Sequence, residues 1–150
     1  MSNRTLCLDT SVLIKYLTPD EQEEAATSLV LGALQDGSRL VAPAWAWAEV
    51  GSVLRKKVRV GLLELEEAHQ LWTAFQNLPI EYAETPELRA RTWEIAGRYG
   101  LPTLYDAAFL ACTETATAPE GAPVEFWTAD TVLLRQLGDH KPAYVKSLSG

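Results

Sequence analysis

Cysteine and histidine are scarce in this sequence, with two of each among 150 residues. Cys7 and Cys112 each stand among apolar neighbours and lack the paired spacing of zinc ligands, which argues against a disulfide framework or a zinc centre. We therefore expect two reduced thiols in the core. His69 falls on an amphipathic segment and His140 in a loop, so neither histidine fits the role of a general base.

Long hydrophobic runs are also missing. The longest nearly apolar stretch covers residues 40–48 and contains Pro43, whereas a membrane-spanning helix needs ~20 apolar residues. Near the N-terminus, Asp9 and Lys15 interrupt the apolar stretch that follows Arg4, so the pattern of a secretory signal is absent. We expect a cytoplasmic protein without a membrane segment.

Positive charge is low as well. Thirteen basic residues stand against 20 acidic ones, which gives a formal net charge of −7 and an isoelectric point near 4.8. This balance excludes a protein that holds nucleic acid by overall charge attraction, so a polyanionic substrate would need a local basic patch or bound cations. The length and the 47% hydrophobic content suit one globular domain over residues 1–150.

Short β-favouring runs alternate with amphipathic segments along the chain. The second predicted helix is opened by Pro19 and ended by Gly37, and the third is opened by Pro43. Strands are predicted at residues 5–8, 39–42, 79–83, 124–127 and 143–145, with further helices at 62–77, 86–99, 104–112 and 131–137. The alternation predicts an α/β fold with a mostly parallel sheet of about four to five strands, covered by helices on both faces.

Four acidic residues stand where a charge is not expected. Asp9 and Asp130 follow the first and fourth strands, at the sheet edge where open α/β folds bind ligands. Glu49 lies on the apolar stripe of the third helix. Asp106 is the only charged residue between positions 99 and 113, in the first turn of the most apolar helix.

Each of these acids also has a structural explanation. Asp9 and Asp130 could cap the helices that follow them, and Glu49 could pair with Lys57 or Arg55. The acid in the apolar helix could stabilise the helix dipole, although the ~0.3–1 kcal/mol from that source does not balance the burial of a carboxylate.

Taken together, the four acids predict a metal site. Two carboxylates ~4 Å apart repel by ~4 kcal/mol at an effective dielectric constant of 20, so a pocket that collects several of them needs protons or cations. Hard oxygen ligands select Mg²⁺ or Mn²⁺. The chemistry expected of such a site is metal-assisted phosphoryl transfer.

Four segments carry a resemblance to a known family: LCLDTSVLIKYL, VAPAWAWAEVGSVLRK, GLPTLYDAAFLA and VEFWTADTVLL. Their order and spacing resemble PIN domains, most closely the VapC-type ribonuclease toxins of bacterial toxin–antitoxin pairs. The resemblance implies a three-layer α/β/α sandwich, with metal-binding catalytic acids at Asp9, Glu49, Asp106 and Asp130. Small hydroxyl residues beside these acids, which could equally be helix caps, are Thr10, Ser11 and Thr128.

The resemblance further implies an Mg²⁺- or Mn²⁺-dependent endoribonuclease that cuts RNA, forms a homodimer and is held inactive by a small VapB-like antitoxin. A housekeeping PIN-domain RNA-processing nuclease and a PIN-fold protein that binds RNA or a partner without cutting are the alternatives. A haloacid-dehalogenase-type phosphatase fits less well, because Ser11 stands where it needs an aspartate. A phospho-receiver domain fits less well because Lys141 and Lys146 are poorly placed.

One dense basic stretch begins six residues beyond Glu49. It could guide RNA phosphates toward the metal site, or it could be a solvated helix end. Together with a lysine one turn after Ser11, the candidate substrate contacts are Lys15, Arg55, Lys56, Lys57 and Arg59.

Four tryptophans fall on predicted helices, where core packing is more common than base stacking, although some could line a dimer or antitoxin groove. They are Trp45, Trp47, Trp72 and Trp93.

Overall fold

The computed structural model describes residues 4–149, and its centre is one five-stranded parallel sheet. In chain order the strands are β1 (Thr5–Leu8), β2 (Arg39–Pro43), β3 (Ile80–Ala83), β4 (Val124–Thr128) and β5 (Val145–Ser147). They lie side by side in the order β3-β2-β1-β4-β5, and every neighbouring pair is parallel. The predicted α/β fold with a parallel sheet of four to five strands is confirmed.

The central strand β1 is the point from which the sheet is built outward in both directions. Thr5 pairs with Arg39 of β2 on one side and with Val124 of β4 on the other, and all four β1 residues are buried. The carboxyl ends of parallel strands meet at one edge, and a ligand crevice forms where the strand order reverses. That reversal lies between β1 and β4, directly beside Asp9.

Helices cover both faces of the sheet, because successive side chains of a strand point to opposite sides. Leu6 and Leu8 belong to the core under the first four helices, whereas Cys7 belongs to the core under the last three. The helices are α1 (Thr10–Leu17), α2 (Glu24–Asp36), α3 (Ala46–Arg59), α4 (Leu65–Gln76), α5 (Pro86–Tyr99), α6 (Leu104–Thr115) and α7 (Thr131–Leu137), followed by a 3₁₀ turn at Gly138–His140. Cys7 and Cys112 are buried free thiols, as predicted.

The most apolar helix, α6, lies inside the molecule as its sequence predicts. Residues 107–113 are all buried, and Phe109 packs against Phe126 of β4 with ring centroids 6.0 Å apart. None of the helices within residues 4–149 is long and apolar enough to cross a bilayer.

Several predicted boundaries differ from the structure. The second helix begins at Glu24 and not at Pro19, since residues 19–21 form a turn. The third begins at Ala46, because Pro43 is the last residue of β2 and pairs with Ala83. The fifth strand begins two residues later than predicted.

The tryptophans divide between core and surface. Trp72 packs against Phe75, and Trp45 stands edge-on to Phe109 with ring centroids 5.4 Å apart. Trp47 and Trp93 are 49% and 73% exposed. Core packing, the more common role of a helical tryptophan, therefore does not describe these two, and the alternative of a surface role stays a prediction.

Ion pairs between a buried lysine and two exposed acids fix α3 to the turn that precedes α2. Lys57 is 6% exposed, and its ammonium donates to Asp20 at 2.6 Å and to Glu21 at 2.5 Å. Lys57 follows Val50 by seven residues and Leu54 by three, which places it on the buried stripe of the helix. The two acids therefore hold this turn against α3.

We expect Lys57→Gln to lower the free energy of unfolding by about 1.5–3 kcal/mol, the usual contribution of hydrogen bonds to charged groups. The matched control is Lys56→Gln, whose exposed side chain forms no ion pair within the described chain and whose effect should stay within about 0.5 kcal/mol. Urea unfolding of both variants measures the difference. Equal stabilities would contradict the structural role of Lys57.

Candidate active site

Asp9 is a buried carboxylate at the carboxyl end of β1. Its side chain does not cap the helix it precedes: within residues 4–149 it accepts no amide of α1. Its Oδ2 instead accepts the hydroxyls of Ser11, at 2.9 Å, and Thr128, at 2.7 Å. Burial raises the pKa of Asp9 to about 7, with smaller contributions from the charges of Asp106 and Glu49, while the two hydroxyls lower it.

The two hydroxyls tie Asp9 to the chain that follows β4. Ser11 also accepts the amide of Ala129 at 3.0 Å, and Thr128 accepts the amide of Asp130 at 3.0 Å. Thr128 is fully buried and lies 119 residues from Asp9 in the sequence. The ends of the two central strands are therefore held together by side chains that also position an acid.

Glu49 reaches the same place from α3. The hydroxyl of Thr10, the first residue of α1, donates to Glu49 Oε1. Neither Lys57 nor Arg55 pairs with Glu49, so the alternative of a structural ion pair does not hold within the described residues. The hydroxyl predicted beside Asp9 thus holds a second acid.

Asp130 has the capping role that its sequence context suggests, and it also lies close enough to a second acid to act on it. Its Oδ1 caps α7 by accepting the amides of Val132 and Leu133, at 2.9 and 3.1 Å. Its charge also acts on Asp106, in the first turn of α6. Burial, followed by the charges of Asp130 and Glu49, raises the pKa of Asp106 to about 6.

The structure thus brings together the four acids that the sequence singles out, and no basic side chain balances them. Within residues 4–149, none of the four forms an ion pair with lysine, arginine or histidine. His69 and His140 are both exposed. Among the described residues, the hydrogen bonds to these acids come from hydroxyls and backbone amides.

In each of three of these carboxylates, one oxygen accepts hydrogen bonds from the protein. The other oxygen has no hydrogen bond from residues 4–149. The held atoms are Oδ2 of Asp9, Oε1 of Glu49 and Oδ1 of Asp130. Oriented carboxylates with a free oxygen are suitable donors for a hard divalent cation.

The acids do not form a closed cage. Across the described part of the chain, no three aspartate, glutamate, histidine or cysteine side chains are arranged to hold one ion by themselves. Mg²⁺ usually takes one or two carboxylates directly and fills its remaining positions with water. The donor set fits an ion of that kind.

Comparison with known proteins identifies the family. Residues 6–136 match the family model of the PIN domain. The chain is a PIN domain. No curated protein matches the sequence at a significant level.

Two solved structures share the PIN fold of this chain. PAE2754 from Pyrobaculum aerophilum superimposes with a TM-score of 0.66 and 19% identity, over 98% of this chain and 91% of its own. VapBC2 from Rickettsia felis, solved bound to a DNA fragment from its promoter, superimposes with a TM-score of 0.62 and 10% identity, over 95% of this chain and 98% of the matched chain. At these identities the likeness concerns the fold.

The five basic candidates for substrate contacts divide into two groups in this PIN domain. The prediction that Lys57 contacts the substrate is wrong. Lys57 is buried and paired with Asp20 and Glu21, so it is not available to a phosphate. Lys15 is half-buried and pairs with Glu23 at 2.7 Å. The other three are exposed on α3, and they are Arg55, Lys56 and Arg59.

Sequence reasoning did not single out the exposed tyrosine that precedes Asp106 in α6. Tyr105 is 58% exposed beside Asp106, and its ring stands edge-on to Trp45 with centroids 5.1 Å apart. Its position directly before Asp106 is the one sequence signal that could have drawn attention to it.

We expect Asp9→Asn to stabilise the metal-free protein more at high pH than at low pH. In the folded state Asp9 keeps a proton up to about pH 7, whereas in the unfolded chain it loses the proton near its ordinary pKa of 3.8. The parent therefore loses stability as the pH rises through this window. The advantage of the variant should be larger at pH 8 than at pH 5 by about 2–3 kcal/mol, measured by urea unfolding in chelator.

The control is Asp139→Asn, an exposed acid in the 3₁₀ turn outside the site, which should show no such pH-dependent advantage. If Asp9→Asn is less stable than the parent at pH 8 without metal, the carboxylate has a structural role instead.

Proposed function

We propose that this PIN domain is an Mg²⁺- or Mn²⁺-dependent endoribonuclease that hydrolyses RNA phosphodiester bonds in the cytoplasm. PIN domains are generally nucleases. The observation that carries the proposal is the buried carboxylate of Asp9. The charges of Asp106 and Glu49 raise its pKa further, and it has no basic partner within residues 4–149. A divalent ion would balance this charge.

One or two of the four acids, Asp9, Glu49, Asp106 and Asp130, would bind the ion directly, and water would fill its remaining positions. When bound, a divalent ion polarises the phosphodiester and makes water a better nucleophile. Ser11 and Thr128 fix the orientation of Asp9 through its Oδ2, and Thr10 fixes Glu49. These hydroxyls prepare the acids before the substrate arrives, so that little reorganisation is needed.

The cellular role that we propose is that of the toxin in a VapBC-type pair, restrained by a small VapB-like antitoxin and acting as a homodimer. The likeness to the VapBC2 complex supports this role. The toxin role predicts a small neighbouring gene for a DNA-binding protein. The product of this gene should co-purify with this chain and suppress cleavage, whereas an RNA-processing nuclease would have no such neighbour.

We expect Asp9→Asn and Asp106→Asn each to reduce RNA cleavage by about 100-fold or more. Substitutions of residues that only hydrogen-bond to metal ligands already reduce metal affinity or activity by about 10–100-fold. Cleavage of a labelled RNA with Mg²⁺ or Mn²⁺, and with chelator, measures the loss. Circular dichroism establishes that the variants remain folded.

Asp139→Asn again provides the control, and it should cleave as the parent does. Full cation-dependent cleavage by both site variants would contradict the proposal. Folded protein that binds RNA but does not cleave it under any cation condition would favour the non-cleaving alternative.

A further inference from the structure

Three basic side chains form a stripe on α3 that begins beside the acids. We call Arg55, Lys56 and Arg59 the basic stripe. Helical spacing places Lys56 and Arg59 on the same side of α3 as Ser52, and Arg55 lies at the flank of that side, about 120° around the helix axis from Glu49. At 1.5 Å per residue, the stripe extends from about 9 Å to about 15 Å from Glu49 along the helix axis.

The basic stripe is not neutralised by the protein. Other lysines and arginines of the described chain, among them Lys15 and Lys57, form ion pairs with acids. Within residues 4–149 the stripe residues form none, although the chain carries 20 acids. Like charges at i and i+4, such as Arg55 and Arg59, are unfavourable on a helix unless an anion lies between them.

The helix dipole does not account for the whole stripe. Cations in the last turn of a helix are favourable, and Lys56 and Arg59 lie there, but Arg55 precedes that turn. The three side chains, with Ser52 and Leu65, instead line an open groove of about 510 Å³ between α3 and the start of α4. The groove is therefore lined by unpaired cations with a hydroxyl among them.

We propose that the basic stripe binds the phosphates of the RNA strand next to the phosphodiester that is cut. This inference rests on the proposed nuclease function and adds the path of the strand, which leaves the acids and follows α3 toward its C-terminus. Arginine suits this role because its guanidinium donates two parallel hydrogen bonds to one phosphate. The stripe also explains how a chain with a net charge of −7 approaches a polyanion.

The test measures RNA binding separately from cleavage. A fluorescein-labelled single-stranded RNA is titrated against the Asp106→Asn variant, with Mg²⁺ present, at several salt concentrations. The further substitutions Arg55→Gln, Lys56→Gln and Arg59→Gln should weaken binding about tenfold or more at low salt, and reduce the slope of log affinity against log salt by about 2.

A matched variant removes the same charge elsewhere. It carries Arg98→Gln, Arg135→Gln and Lys141→Gln, three exposed cations without ion pairs among the described residues, and it should bind RNA as Asp106→Asn does. In the cleaving protein the stripe substitutions should raise KM with little change in kcat.

The outcomes separate the two proposals. Equal losses in the stripe and control variants, or no loss in either, would overturn the stripe as a phosphate site while leaving the nuclease assignment intact. Stripe-dependent binding by a protein that never cleaves RNA would support the stripe and contradict the nuclease. An acidic protein segment as the true ligand would leave RNA affinity unchanged in the stripe variant.

Discussion

A carboxylate buried without a counter-charge is the constraint on which the rest of this structure depends. Asp9 ends the central strand of the sheet, and the hydroxyls of Ser11 and Thr128 that hold it also join the ends of β1 and β4. Hydrogen bonds to a charged group contribute about 1.5–3 kcal/mol each, yet the pKa of Asp9 is still raised to about 7. The protein thus orients a charge that it does not fully stabilise, and the divalent cation that we propose would balance this charge.

Much of the fold follows from local signals in the sequence. Helix α5 has the predicted bounds because Thr85 caps it, Pro86 opens it and Gly100 ends it in the left-handed conformation. The acids were recognisable because a charge within an apolar run needs a reason. The resemblance to PIN domains added the hydroxyl positions, and the contacts of those hydroxyls are visible only in three dimensions.

The parts that sequence reasoning missed depend on contacts between distant residues. The start of α2 was misplaced because Asp20 and Glu21 bind Lys57, more than 30 residues away. Lys57 was grouped with its basic neighbours, although its spacing from Val50 places it on the buried stripe. Periodicity also does not show which helix face meets another element, and for that reason the sequence left open whether Trp93, which is 73% exposed, packs in the core or lies on the surface.

Binding of metal by the folded protein is the most direct test of this account, since it requires neither a substrate nor a partner. Equilibrium unfolding is measured at increasing Mn²⁺ for the parent and for the Asp9→Asn, Asp106→Asn double variant. The account predicts that the parent gains stability with Mn²⁺, by about 2.7 kcal/mol at 100 times the dissociation constant, and that the double variant does not. A parent unaffected by Mn²⁺ and Mg²⁺, or a double variant that gains as much, would contradict it.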